Sequence, residues 1–201
     1  GRRPNTEDLG LEDARVLLAS AGGIGVDPKM RTARPDIYAA GDVTGRDQFV
    51  YMAAHGAKVA ALNALNGDRL DYDNDAMPWV TFTDPQVAGV GLTEAAAKAR
   101  GHRTKTSVVP LNLVACARAA RDTRGLVKLV ADAVTDRLLG AQILAPEGAD
   151  SVQTMVLALK FGMTTTALAE TIFPYLTTVE GLKLAALGFS KDVAKLSCCA
   201  A

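Results

Sequence analysis

Short apolar runs separated by glycine, proline and aspartate dominate the first seventy residues. The uninterrupted run 37–40 ends at Gly41-Asp42, which is typical of a buried parallel strand. Shorter strand pieces are predicted over 15–18, 24–26 and 29–32. Alanine-rich apolar positions then recur at helical spacing over 48–66 and stop at Gly67, which predicts a helix. The pattern indicates part of an α/β unit.

The pattern changes after an acidic stretch at 67–77, which predicts a linker and a domain boundary near residue 75. Strands are predicted over 79–83, 87–90, 104–110, 126–134 and 138–144, the last two as an antiparallel hairpin. Helices are predicted between the cap Thr93 and Gly101, and over 149–161, 166–171 and 179–187. The predicted fold is therefore an α/β segment at 1–75, followed over 76–201 by an α+β domain with an antiparallel sheet.

Charge and composition exclude several classes of function. The 201 residues carry 22 Lys plus Arg against 22 Asp plus Glu, so no basic field is available for nucleic acid or an anionic bilayer. No apolar run approaches the roughly 20 residues of a membrane span, and the first residues lack the apolar core of a signal peptide. Three cysteines do not make a disulfide framework. A soluble, cytoplasmic protein with neither nucleic-acid nor membrane partner is expected.

The stretch 37–45 is the first candidate site. Gly41 lets the backbone approach a ligand closely, and the Asp42 carboxylate can accept hydrogen bonds from a sugar-alcohol hydroxyl. The helix that follows directs its N-terminal amides toward the same place. An ordinary strand-to-helix turn with a capping aspartate explains the stretch equally well. The glycines at 22–25 and 89–91 lack the spacing of a dinucleotide-binding turn.

This stretch resembles the second flavin-binding motif of the pyridine-nucleotide disulfide oxidoreductases. Residues 1–6 resemble the return of that family's chain from the NAD(P) domain to the FAD domain, and residues 79–91 resemble the start of its dimerisation domain. The resemblance implies an incomplete, C-terminal part of an FAD-binding domain at 1–75 and a dimerisation domain at 76–201 that forms a homodimer. It places Gly41, Asp42 and Val50 at the FAD, with Val50 contributing its backbone.

The stretch 173–181 departs from most members of that family. They carry a His–Glu pair there as acid and base for thiol chemistry, whereas this chain has Phe173 and Thr178. Glu180 stands two residues too late to replace the glutamate. The stretch is similar to the mercuric reductases within the family, which implies that Tyr175 is an active-site tyrosine near the bound metal. Without the resemblance, Tyr175 would be interpreted as a half-buried interface aromatic.

The chain ends with the adjacent thiols Cys198 and Cys199. Thiolates are soft ligands that prefer thiophilic cations, and Lys191 and Lys195 nearby favour the ionised form. In isolation, an incidental terminal pair is the simpler interpretation. The resemblance implies a metal-delivering pair, because mercuric reductases carry one at this end. Cys116 is expected to be a small buried side chain.

The remaining polar residues receive no predicted role. His102 is expected to be solvated and His55 has no partner that the sequence identifies. Arg118, Arg121 and Arg124 are expected in an exposed loop.

The resemblance implies the C-terminal part of an enzyme that uses FAD and NADPH to reduce Hg(II) to Hg(0). The family's redox cysteine pair, first FAD motif and NADPH motif have no counterpart in these residues. The isolated chain is therefore expected neither to hold FAD tightly nor to reduce mercury. Two alternatives remain: a non-catalytic dimerisation module with a soft-metal-binding tail, and part of another flavin disulfide reductase.

Overall fold

The computed structural model describes residues 1–195. The chain divides into two compact units, Gly1–Asp73 and a second unit that begins at Asn74. Each unit is described by itself below.

The second unit is built on a five-stranded antiparallel sheet. Its strands are β1 (Pro78–Thr81), β2 (Gln86–Gly91), β3 (Thr104–Pro110), β4 (Leu126–Asp132) and β5 (Leu138–Ala145), in the spatial order β1-β2-β5-β4-β3. β4 and β5 form the predicted hairpin, with Leu126 opposite Leu144 and a register shift between Val130 and Ala131. The predicted antiparallel α+β fold is confirmed.

Helices connect the strands and cover the sheet. They are α2 (Glu94–Ala99), α3 (Ala115–Ala120), α4 (Gly148–Lys160), α5 (Thr165–Glu170) and α6 (Glu180–Leu187). α4 packs on β2 and β5, while α6 packs on β3 and β4 and against α5. The side chains of Thr93 and Thr164 cap α2 and α5 by accepting the backbone N–H of Ala96 and Ala167. The largest side chains fully buried between sheet and helices are those of Leu111, Leu129, Ile143, Met155, Leu168 and Leu182.

The first unit contains one long helix, α1 (Val50–Asn66), and a series of turns. Four strands were predicted in this unit, over 15–18, 24–26, 29–32 and 37–40. None of them forms a ladder with another strand within the described residues of the unit, so the predicted strand at 37–40 is wrong. The backbone pairs only through isolated antiparallel bridges, Leu18 with Ile24 and Arg31 with Tyr38. An apolar run specifies burial, but it becomes a strand only where another strand offers hydrogen bonds.

Buried polar groups supply much of the order in this unit. The Asn63 side chain is 1% exposed, donates to the carbonyls of Lys29 and Leu70, and accepts the Leu70 N–H. Asp68 accepts from Arg31 at 2.6 Å and from the Tyr38 hydroxyl at 2.7 Å. These bonds join the turns to the end of α1.

Short elements between residues 111 and 120 were missed from the sequence. A 3-10 turn at Leu111–Leu113 precedes α3, and α3 places Arg118 in a helix rather than in the predicted loop. Short alanine-rich helices give no long periodic signal. None of the helices described is long and apolar enough to cross a bilayer.

Candidate functional site

Gly41 and Asp42 form the tight turn that the sequence indicated. Gly41 has φ +81°, and a Cβ placed there would lie 3.1 Å from the Ala53 Cβ on α1, so glycine allows this close approach. The Gly41 carbonyl accepts both the Thr44 hydroxyl at 2.8 Å and the Thr44 N–H at 3.0 Å. These bonds fix the 3-10 turn Asp42–Thr44 and leave the Asp42 side chain exposed.

A second glycine, missed from the sequence, supports this turn. A Cβ on Gly23 would lie 2.3 Å from the Thr44 carbonyl oxygen, so no larger residue fits there. The next residue, Ile24, donates its N–H to the Val43 carbonyl at 2.9 Å. The sequence feature that could have indicated this contact is the glycine-rich stretch at 22–25. The stretch packs one loop against another and does not form a dinucleotide-binding turn.

Helix α1 begins beside the turn. Val50 is 84% exposed, and the preceding Phe49 provides no side-chain cap. A helix start without a cap is suited to an anionic ligand. Asp42 has no side-chain hydrogen bond within residues 1–195, so its carboxylate is available to hydroxyl donors. The close approach at Gly41, the acceptor at Asp42 and the uncapped helix start fit a flavin with its ribitol and phosphates.

The segment between α5 and α6 presents the second candidate group. Phe173 packs partly buried against the core of its unit. Two residues later, Tyr175 is 55% exposed. Leu176 has φ +60°, a conformation that branched side chains rarely adopt. The ring of Phe173 thus points inward, while the backbone turns to present Tyr175 outward.

Thr178, at the family's glutamate position, faces a different carboxylate. Its hydroxyl donates to Glu147 Oε2 at 3.1 Å. Both residues line a cavity of about 70 Å³ together with Cys116, whose thiol is free. Cys116 is half-buried against the core, which agrees with the expected small apolar role. The contact of Glu147 with this position was not foreseen, because it joins residues 31 apart in sequence.

Glu180, the first residue of α6, is only 7% exposed. Burial raises the pKa of this carboxyl, while the backbone of Leu176 and the charge of Lys183 act in the opposite direction. Glu180 Oε2 has no hydrogen-bond partner within the chain as described. The sequence identified Glu180 only as misplaced for acid–base work.

One expectation about polar residues needs correction, and another is confirmed with an added contact. His102 is not simply solvated: its Nδ1 lies 3.0 Å from Asp132 Oδ2. Arg121 and Arg124 lie in the exposed turn after α3, but Arg124 is held by Asp122 and Asp84. The Arg124 hydrogen bonds hold the pKa of Asp122 at about 2. Charge pairing, which the sequence does not specify, fixes both positions.

No cluster of three or more His, Cys, Asp or Glu side chains suited to a metal is present within residues 1–195. Cys198 and Cys199 lie outside the described residues. The metal-binding prediction therefore stays a prediction.

Comparison with known families agrees with this geometry. The pyridine nucleotide-disulphide oxidoreductase dimerisation domain matches residues 77–186, and the pyridine nucleotide-disulphide oxidoreductase model matches residues 1–61. The chain belongs to the pyridine nucleotide-disulphide oxidoreductase family. The resemblance inferred from the motifs is confirmed.

Similar members of the family are mercuric reductases. Those of Bacillus cereus, Shigella flexneri and Streptomyces lividans are 49%, 50% and 48% identical over 200 residues, which is all of this chain. The chain covers 32%, 35% and 42% of their lengths. It thus spans about a third to two fifths of the curated relatives that it matches.

Solved structures of the family share the fold. LpdA from Mycobacterium tuberculosis aligns with a TM-score of 0.85 at 28% identity, over 95% of this chain and 42% of that one. A Cu(II) complex of the HOCl-induced flavoprotein disulfide reductase RclA from Escherichia coli aligns with the same score and identity, over 95% of this chain and 43% of that one. Family membership implies FAD and a nicotinamide nucleotide in the full-length enzymes. The roles of individual residues remain predictions.

Proposed function

We propose that this chain is the C-terminal segment of an FAD- and NADPH-dependent mercury(II) reductase that acts as a homodimer in the cytoplasm. The observation that carries the proposal is the replacement of the acid–base pair by Phe173 and Thr178. A packed ring and a hydroxyl cannot shuttle protons to a thiol, whereas a metal-ion substrate needs ligands instead. The identity of 48–50% to mercuric reductases supports this choice of substrate.

The first unit would contribute to flavin binding. Asp42 would accept hydrogen bonds from the ribitol, Gly41 would allow the close approach, and the Val50 backbone would lie at the helix start. When bound, FAD supplies the electron path between NADPH and the thiols that hold the metal. The exposed Asp42 carboxylate and the uncapped start of α1 support this assignment.

The second unit would provide the dimer interface and the metal path. Cys198 and Cys199 would capture Hg(II) as thiolates and transfer it by ligand exchange toward the partner subunit. Tyr175 would line the inner site. Its exposed side chain, on a turn fixed by the unit's own core, supports a role toward a bound ion.

The proposal is tested in a hybrid enzyme. The part of the Streptomyces lividans mercuric reductase that precedes the matched region is joined to this chain, and NADPH oxidation is measured with Hg(II) together with Hg(0) release. The hybrid should release Hg(0), and Cys198→Ala/Cys199→Ala should raise the KM for Hg(II) strongly. The Cys116→Ala hybrid is the matched control and should behave like the parent. NADPH oxidation without Hg(0), or no effect of removing the tail thiols, would contradict the proposal.

A second candidate is a dimerisation module with a soft-metal-binding tail. The complete sheet and core of the second unit favour it, because they need no flavin. Sedimentation of the isolated chain would show a dimer in both cases. Under the enzyme proposal the Tyr175→Phe hybrid loses Hg(II) turnover, whereas a tail-only module binds Hg(II) through Cys198 and Cys199 regardless of Tyr175.

A further inference from the structure

The second unit contains a cavity of about 430 Å³ whose lining does not include Tyr175. Its walls are β3, the turn between β4 and β5, α5, α6 and the chain that follows α6. Sites that hold small organic molecules in proteins have volumes of about 300–1,000 Å³, so this cavity is large enough for such a ligand. The proposed function leaves it without a role.

One wall of the cavity is an ion pair that is already complete. Lys105 Nζ donates to Asp136 Oδ1 at 2.5 Å, and the hydroxyl of Thr165 donates to the same oxygen. Asp136 Oδ2 accepts the N–H of Thr166 at 3.1 Å and its hydroxyl at 2.9 Å. The Asp136 carboxylate is therefore satisfied by its own neighbours, and Lys105 cancels its charge.

Two further lysines line the cavity, Lys183 on α6 and Lys191 in the chain after it. Neither ammonium group takes part in an ion pair or a hydrogen bond within residues 1–195, although the charge of Lys183 acts on the Glu180 carboxyl. Glu170 is the other acid of the lining, and it forms no ion pair with either lysine in the same range. Two positive charges thus share the cavity with one negative charge. A cleft with an excess of positive charge concentrates anions.

The cavity also has an apolar surface. The ring of Phe189 packs partly buried against the core of the unit, and Lys105 Nζ lies 5.0 Å from the centroid of this ring. Leu187, at the end of α6, also lines the cavity. An apolar group can therefore lie against this surface while the lysines bind an anionic group.

We propose that this cavity binds a phosphate monoester with an apolar or aromatic body, that Lys183 and Lys191 hold the phosphate, and that Phe189 contacts the body. A phosphate monoester carries a charge of about −1.5 to −2 at neutral pH, which matches two lysines. Lysine binds phosphate as a point charge and needs no fixed fork geometry. The site uses neither the flavin nor Hg(II), so it is independent of the proposed function.

The binding of phenyl phosphate to the 201-residue chain tests the charged part of the site. In a titration at neutral pH the amide NMR signals of Phe189 and Lys191 should shift and saturate. Lys183→Met/Lys191→Met keeps the length of both side chains but removes their charges, and should weaken binding at least about tenfold. Lys160→Met, at an exposed lysine of α4 outside the cavity, is the matched control and should bind like the parent. No saturable shift in the parent, or equal affinity in the double variant, would overturn the proposal.

The acid of the lining provides a test in the opposite direction. Glu170→Gln removes a negative charge that opposes a bound anion, so it should tighten the binding of phenyl phosphate several-fold. Glu170 is exposed, and its substitution should leave the fold intact. Weaker binding in Glu170→Gln would contradict a site in which charge attracts the ligand.

The apolar part and the choice of phosphate are tested by changing the probe. Phe189→Leu should weaken the binding of phenyl phosphate and leave that of inorganic phosphate unchanged. Benzoate has the same ring but a single negative charge, so it should bind the parent more weakly than phenyl phosphate does. Equal losses for both phosphates in Phe189→Leu, or a preference of the parent for benzoate, would refute this choice of ligand.

Discussion

The two units of this chain hold their candidate residues by different means. In the second unit a complete five-stranded sheet and its helices enclose a continuous apolar core, and the segment that carries Tyr175 rests on it. In the first unit the turn that carries Asp42 is held by hydrogen bonds among loops and by a close glycine contact. Apolar packing tolerates loss of single polar contacts, whereas a hydrogen-bonded turn depends on each one. We therefore expect substitutions of buried apolar residues to lower the stability of the second unit most. Substitutions that remove a single polar contact should lower the stability of the first unit.

The largest effect is expected from the core of the second unit. Leu129 in β4 is 0% exposed, so Leu129→Ala should lower the free energy of unfolding of this unit by about 2–5 kcal/mol through lost burial and a cavity. Urea denaturation followed by Trp79 fluorescence measures it. Leu157→Ala, at a half-exposed position on α4, should cost far less. Equal losses at both positions would contradict the described core.

A glycine contact gives the next effect. Gly23→Ala would bring a Cβ against the Thr44 carbonyl, and the forced shift should destabilise the first unit by about 2–3 kcal/mol. The Ile24 N–H donates to the Val43 carbonyl, so the rate of hydrogen exchange at the Ile24 amide measures this destabilisation next to the substituted residue. Gly25→Ala is the matched control, because its Cβ would make an ordinary 3.4 Å contact. Unchanged Ile24 exchange in Gly23→Ala would refute the close approach.

The buried amide of Asn63 should contribute somewhat less. Asn63→Ala removes two donated hydrogen bonds and one accepted bond, and should cost the first unit about 1–2 kcal/mol. Exchange of the Leu70 amide should accelerate, while the Trp79 transition of the second unit stays in place. Asn66→Ala, at the exposed end of the same helix, provides the comparison. A shift of the Trp79 transition would show that the two units do not respond separately.

The smallest effect is a pH dependence in the second unit. The hydrogen bond from His102, followed by the N–H groups of Thr135 and Val134, lowers the pKa of Asp132 to about 2. A carboxyl with a lowered pKa stabilises the fold above its ordinary pKa of about 3.9, and this contribution is lost as the pH falls to about 2. Asp132→Asn should therefore be less stable than the parent at pH 7, with the difference vanishing near pH 2.

The pH dependence is measured by thermal unfolding between pH 2 and pH 7. The exposed Asp150→Asn on α4 is the control. A stability difference between Asp132→Asn and the parent that is constant across this range would contradict the assigned ionisation.

The sequence predicted the second unit better than the first, for a physical reason. The alternation over β3, the hairpin of β4 and β5, and the Thr93 cap are local signals, and their partners lie within the same unit. The apolar run at 37–40 predicted a buried strand, but its residues are only half-buried. Within the described first unit the run pairs through one bridge, Arg31 with Tyr38, and forms no ladder.

Long-range contacts account for what was missed at the candidate sites. Gly23 acts on Thr44, and Glu147 acts on Thr178, across intervals that no periodic pattern encodes. The left-handed backbone of Leu176, next to Tyr175, is a local feature, but residue type does not predict it. The motifs predicted the candidate site residues, and they did not predict the residues that hold these candidates in place.

We propose that Phe173 and Thr178 make this chain suited to a metal-ion substrate rather than to a disulfide. The most direct test compares NADPH oxidation by the hybrid enzyme with Hg(II) and with glutathione disulfide as substrates. The hybrid should oxidise NADPH with Hg(II) and release Hg(0), and it should show no turnover above background with the disulfide. Efficient disulfide reduction without Hg(0) release would contradict this proposal.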